Sequence, residues 1–208
     1  MEKYSSMSEL LAREPDGHYQ IEYRIVPGSR VLIASPHGGL IEKGTSLLSD
    51  FVAGDDFCRF DFQGIRPRDN FSNLHVSSLN YDSEILQRIN DLADITVTIH
   101  GFKRLGTGKL TIVGGLDAEG RDQAVQCLNQ AGFQAVPARD LFSGLNPQNI
   151  VNRNRRGKGI QLEISTEQRI AFFGDTEVKL LERSRPSDEL KSYGRALWQA
   201  IFLLLDSI

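Results

Sequence analysis

Hydrophobic and polar positions follow two periods along this chain, and each change of period marks a new element. In residues 94–100, DITVTIH, Ile95, Val97 and Ile99 fall on one side and Thr96, Thr98 and His100 on the other. A period of two predicts a strand with one apolar face. GIQLEIS repeats the pattern, with Ile160, Leu162 and Ile164 opposite Gln161 and Glu163. RVLIAS is apolar on both faces, as expected of a central strand covered on two sides. YQIEYRIV, DFCRFDFQG, LHVSS, LTIVGGLD and FQAVPA add further strand patterns.

Helical spacing takes over between these runs. SEILQRINDLAD carries Ile85, Leu86, Ile89 and Leu92 on one face, and GTSLLSDFVAG closes on Gly54. SMSELLARE, EGRDQAVQCLNQAG and TEQRIAFF read as helices too. Near the C-terminus Leu190, Tyr193, Leu197, Ile201 and Leu204 recur at helical spacing, predicting a buried terminal helix. ARDLFSGLNPQNIVNRNRRGKG reads mostly as loop. Alternating strands and helices predict a three-layer α/β/α fold with a mixed, largely parallel sheet. Close spacing suggests that YQIEYRIV and RVLIAS form an antiparallel hairpin. No internal repeat divides the chain, so residues 1–208 are expected to form a single domain.

Composition narrows the class. With 208 residues, 40% hydrophobic and 25% charged, there is material for a substantial core. A net charge of −3 gives no expectation of a nucleic-acid partner or an anionic membrane surface. The opening MEKYSSMSELLAREPDG lacks an apolar stretch, so no signal peptide is expected. ALWQAIFLLLDSI is shorter than the roughly 20 residues that span a bilayer. Cys58 and Cys127 lie far apart and form no CxxC, which favours reduced, buried thiols and a cytoplasmic protein, with release by lysis left open.

Candidate chemistry gathers where predicted strands end, the usual place for function in an open α/β sheet. His37 follows RVLIAS in SPHGGLIEKGT, His100 closes DITVTIH, and Glu163 lies near the end of GIQLEIS. Gly38 and Gly39 would let the chain bring Glu42 back toward His37. Catalytic zinc takes three protein ligands, often imidazoles and a carboxylate, and keeps one position open. His37, Glu42 and His100 suit those roles, and Glu163 suits the general base. The spacing also admits a turn histidine at His37, a helix-terminal carboxylate at Glu42, a polar strand end at His100 and a structural ion pair at Glu163.

The ordered motifs HGGLIEKGT, LHVSSLNYD, TIHGF, IVGGLD, NIVNR and GKGIQLEIS, over roughly residues 30 to 170, resemble the poly-γ-glutamate hydrolase family of phages and Bacillus-type bacteria. The resemblance implies a compact fold similar to zinc carboxypeptidases, one zinc ion, and hydrolysis of γ-glutamyl amide bonds in an anionic polymer or peptide. It implies His37, Glu42 and His100 as metal ligands and Glu163 as general base. HExxH is absent, which argues only against the helix-borne metalloprotease arrangement.

The loop NRRGKG is more basic than the family pattern leads one to expect. Arg153, Arg155, Arg156 and Lys158 could hold substrate carboxylates, contact phosphates or face solvent; Arg153, within NIVNR, is the chosen substrate anchor. His75 could touch substrate, orient a ligand or be structural, and stays outside the metal set; His18 is expected to be solvated. Lys109 lacks phosphate-loop spacing. The main reading is therefore a zinc-dependent γ-glutamyl hydrolase. Beside it stand an inactive phage- or replication-associated binding protein of the same fold, and a zinc hydrolase of another N-acyl amino acid or small peptide.

Overall fold

The computed structural model describes residues 2–103, 106, 108–174 and 186–208. Among these residues seven strands form one sheet: β1 (Tyr19–Arg24), β2 (Val31–Gly39), β3 (Cys58–Gly64), β4 (Ile95–Phe102), β5 (Thr111–Gly114), β6 (Ala135–Pro137) and β7 (Ile160–Ser165). Their spatial order is β1-β3-β2-β4-β7-β5-β6. The pairs β3–β2, β2–β4, β4–β7 and β5–β6 are parallel, whereas β1–β3 and β5–β7 are antiparallel. This is the expected mixed, largely parallel sheet.

Two apolar layers enclose it. On one face Val31, Ile33, Ile95, Val97, Ile99, Leu162 and Ile164 pack under α2 (Thr45–Ala53), α5 (Ala118–Gln130) and α7 (Asp188–Leu205). The predicted stripe of α7 is buried at Leu190, Tyr193, Leu197, Ile201 and Leu204. On the other face Leu32, Ala34, Phe60 and Phe62 meet Met7 and Leu10 of α1 (Met7–Arg13), and Leu86 and Ile89 of α4 (Glu84–Asn90). Side-chain caps start several helices: Ser6, Ser83, Asp117 and Ser187 each accept a main-chain N–H of the first turn. Both cysteines are free and buried.

Two expectations change. The hairpin between the first two strands does not form, because β2 already has β3 on one side and β4 on the other. β1 instead pairs with β3 at the edge of the sheet. LHVSS is not a strand: α3 (Asn70–Leu74) ends at its leucine, and the chain from His75 runs irregularly while burying Val76. Two buried apolar residues fill a gap in the core there without any partner strand. Among the described residues no helix is long and apolar enough to cross a membrane.

Candidate metal centre

The strand ends of β2, β4 and β7 lie side by side, and a local irregularity decides which way β2 presents its histidine. Ser35 pairs with Asp61, but Gly38 pairs with Gln63, so β2 carries one extra residue in this interval. Regular alternation would put Ser35 and His37 on the same face. Ser35 points to α2, where its hydroxyl lies 3.0 Å from that of Ser49. The bulge turns His37 to the opposite face, against Val76 and Tyr81. His100 and Glu163 already occupy that face by plain alternation, opposite Ile99 and Ile164.

Three side chains bring their donor atoms together there. His37 Nδ1 lies 3.1 Å from His100 Nδ1 and 3.3 Å from Glu42 Oε1, and His100 Nδ1 lies 3.8 Å from Glu42 Oε2. With metal–ligand bonds near 2.0–2.1 Å, the edge of a zinc tetrahedron is about 3.3 Å. The two shorter separations are close to such edges, and one donor atom from each side chain lies within 4.8 Å of the others, so the three side chains can share one small divalent ion. Nitrogen and carboxylate oxygen are the donors zinc takes, and three of them leave a four-coordinate ion one further position.

Neighbouring bonds hold these donors in place. His37 Nε2–H donates to the Val76 carbonyl at 2.9 Å, which leaves the Nδ1 lone pair facing the other two ligands. Glu42 Oε2 accepts the Gly101 N–H at 2.8 Å. The Ser78 hydroxyl lies 3.5 Å from His100 Nε2. Burial and the adjacent His37 push His100 down to about 4, so its imidazole is neutral near pH 7. Burial works against the charge on Glu42, but His37, His100 and the Gly101 N–H outweigh it and hold the carboxyl at about 2.

Glu163 stands next to this group, directly across the parallel β4–β7 ladder from His100. Burial, reinforced by the charge of Glu42, pushes its carboxyl well above the usual range, against the pull of Arg169. A carboxyl raised in this way is suited to taking a proton and giving it back. Gln161 Nε2 donates to Glu163 Oε1 at 3.2 Å, and Gln161 Oε1 accepts from Asn149 Nδ2 at 3.0 Å. The base candidate thus has a fixed orientation. All four residues open into a cavity of about 1320 Å³.

A profile of the poly-gamma-glutamate hydrolase family matches residues 4–196. The chain belongs to that family. The UPF0714 protein YmaC of Bacillus subtilis (strain 168) is 37% identical over 187 residues, covering 89% of this chain and 78% of the relative. A solved bacteriophage poly-gamma-glutamate hydrolase superposes with a TM-score of 0.94 at 35% identity, over 100% of both chains. The structure named YNDL-apo (Zinc-free) gives 0.89 at 26% identity, covering 97% of this chain and 98% of that one.

Within this poly-gamma-glutamate hydrolase fold the other singled-out residues take distinct places. The His75 ring lies tilted against His37 with centroids 4.1 Å apart, lines the cavity and lies 3.0 Å from Glu2 through Nδ1. Arg153 does not line the cavity. Its guanidinium donates to the carbonyls of Gln148, at 2.8 Å through Nε, and of Leu79, at 3.1 Å. The rest of the basic loop is tied to acids: Arg156 lies 3.0 Å and Lys158 3.7 Å from Asp117, and Arg155 lies 3.6 Å from Asp94. His18 is not merely solvated, since its Nδ1 lies 2.8 Å from Glu14.

Sequence reasoning passed over Arg169 and Gln161. Gln161 could have been found, because it shares the polar side of β7 with Glu163. Arg169 gives no such signal. It sits on a short helix, α6 (Thr166–Ala171), and is buried only through tertiary packing.

Proposed function

We propose that this chain is a zinc-dependent hydrolase of γ-glutamyl amide bonds, in poly-γ-glutamate or in short γ-glutamyl peptides, with residues 1–208 acting as one hydrolase domain. The observation that carries the reading is the convergence of His37, Glu42 and His100, whose donor atoms lie within 4.8 Å of one another, with Glu163 beside them in one cavity. Membership of a family described as poly-gamma-glutamate hydrolase supports the substrate class. The relative named as zinc-free supports the choice of metal.

His37, Glu42 and His100 would hold the ion. A bound zinc polarises an amide carbonyl and makes water more acidic. Glu163 takes a proton from the attacking water as the new carbon–oxygen bond forms. It then delivers that proton to the amide nitrogen as the carbon–nitrogen bond breaks, releasing an amine and a carboxylic acid. Gln161, held by Asn149, keeps the Glu163 carboxylate turned toward the reacting atoms.

Metal analysis combined with polymer sizing tests this. The parent should bind one zinc per chain and shorten poly-γ-glutamate, and His37→Ala should lose the metal. Glu163→Gln should keep the zinc and lose activity by about 10²–10⁴-fold, the usual range for a general base. Parent-like cleavage by Glu163→Gln would remove Glu163 from its role. Failure of the parent to bind zinc would remove the metal.

A further inference from the structure

The cavity around the metal centre differs in charge from the protein as a whole. The chain carries a net charge of −3, yet among the described residues the acids lining the cavity are only Glu42 and Glu163, both within the proposed machinery. Among the same residues its Lys and Arg lining is Lys43, Lys103 and Arg169. Arg169 is buried and its guanidinium is occupied by main-chain oxygens. Among the described residues neither Lys43 nor Lys103 has a carboxylate within ion-pair distance.

These two lysines are placed by the site itself. Lys43 directly follows the ligand Glu42, and Lys103 follows His100 by three residues, just past the end of β4. Arg169 fixes both segments from beneath. It donates to the Lys43 carbonyl at 2.7 Å, to the Ile164 carbonyl at 3.1 Å and to the Phe102 carbonyl at 3.4 Å. A Cβ on Gly101 would meet the Arg169 guanidinium at 2.4 Å, so this packing leaves no slack beside His100. The same cavity is lined by the apolar side chains of Ile41, Phe102 and Phe142, the two rings tilted against each other with centroids 5.2 Å apart.

We propose that Lys43 and Lys103, both in the lining of the cavity that holds the metal centre, are carboxylate subsites which bind the α-carboxylates of the residues flanking the scissile bond. The proposal rests on the hydrolase reading above. The chemistry of a γ-linked chain matches this surface. Each residue carries a carboxylate directly on its α-carbon and two methylene carbons on the path to the next amide. Charged lysines meet the former, and apolar walls meet the latter.

The test compares γ-glutamyl oligomers with free α-carboxylates against the same oligomers amidated at those positions. The parent should prefer the free acid by about tenfold or more in kcat/KM, mainly through KM, as charge-assisted hydrogen bonds of this kind allow. In Lys43→Met/Lys103→Met the preference should collapse toward unity with zinc content and Tm unchanged. Lys43→Arg/Lys103→Arg should keep it. Cleavage by the parent with the preference intact in the double methionine variant overturns the subsites alone. No cleavage of either oligomer by the zinc-loaded parent overturns the hydrolase reading, and the subsites with it.

Discussion

Gly38 lies so close to Asp61 that a Cβ on the glycine would stand 2.0 Å from Asp61 Oδ1 and 2.4 Å from the Ser46 hydroxyl. The same Oδ1 accepts hydrogen bonds from Ser35 at 2.5 Å and Ser46 at 2.9 Å, while Oδ2 accepts from Arg59 at 2.7 Å and Gln63 at 2.8 Å. This buried network braces the bulge that presents His37. The glycine after the histidine is thus a condition of the metal centre, because any side chain would push into a carboxylate already tied down four times.

Gly38→Ala should therefore cost roughly 3 kcal/mol, at the upper end of overpacking penalties. For a protein of this size that is a fall in Tm of roughly 10 °C. The same change should weaken zinc binding, since His37 hangs on the bulge. Thermal unfolding and metal titration of the variant check both effects; parent-like values in each would show that the bulge yields easily.

Arg153 offers a clean contrast between two roles. Bonded to the carbonyls of Gln148, Leu79 and, at 3.4 Å, Tyr81, it joins the loop before α4 to the loop before β7. Arg153→Ala should lower stability by about 1–3 kcal/mol, as expected when hydrogen bonds to a charged group are lost. KM for γ-glutamyl substrate should change by less than about threefold, well below the tenfold step that about 1.4 kcal/mol of lost binding would give. A large rise in KM with an unchanged Tm would instead make Arg153 a substrate anchor.

Acid stability should depend on Glu14, far from the cavity. Burial alone would raise this carboxyl, but hydrogen bonds from Lys3, His18 and Tyr4 outweigh it and hold it at about 2 instead of 4.5. A folded-state pKa below the unfolded one means stabilisation present above pH 4.5 and lost as the pH falls toward 2. The contribution is at most about 3 kcal/mol. Glu14→Gln should be less stable than the parent near neutrality, with the gap closing as the pH falls through that window. Denaturant unfolding at a series of pH values would show it; a gap independent of pH would rule out the linkage.

Much of the candidate site was legible because period-two alternation is a local property. The pattern in DITVTIH and GIQLEIS is enough to put His100 and Glu163 opposite the buried isoleucines, and the parallel ladder then sets them side by side. Gln161 followed the same rule. The apolar stripe of the last helix was equally plain, since one covered face needs only helical spacing.

His37 and Glu42 are different. Alternation alone would have turned His37 toward α2, and only the bulge over the Asp61 network brings it to the other face. The sequence by itself determined the elements, their apolar faces and the residue types that could hold a metal, because these depend on neighbours a few positions away. The tertiary structure alone decided that β1 would pair with β3, that LHVSS would fill a gap in the core, and that Arg153 would bind carbonyls while Lys43 and Lys103 line the cavity. Each of those outcomes depends on which distant groups compete for the same hydrogen bond, sheet edge or buried space, and no local pattern records that competition.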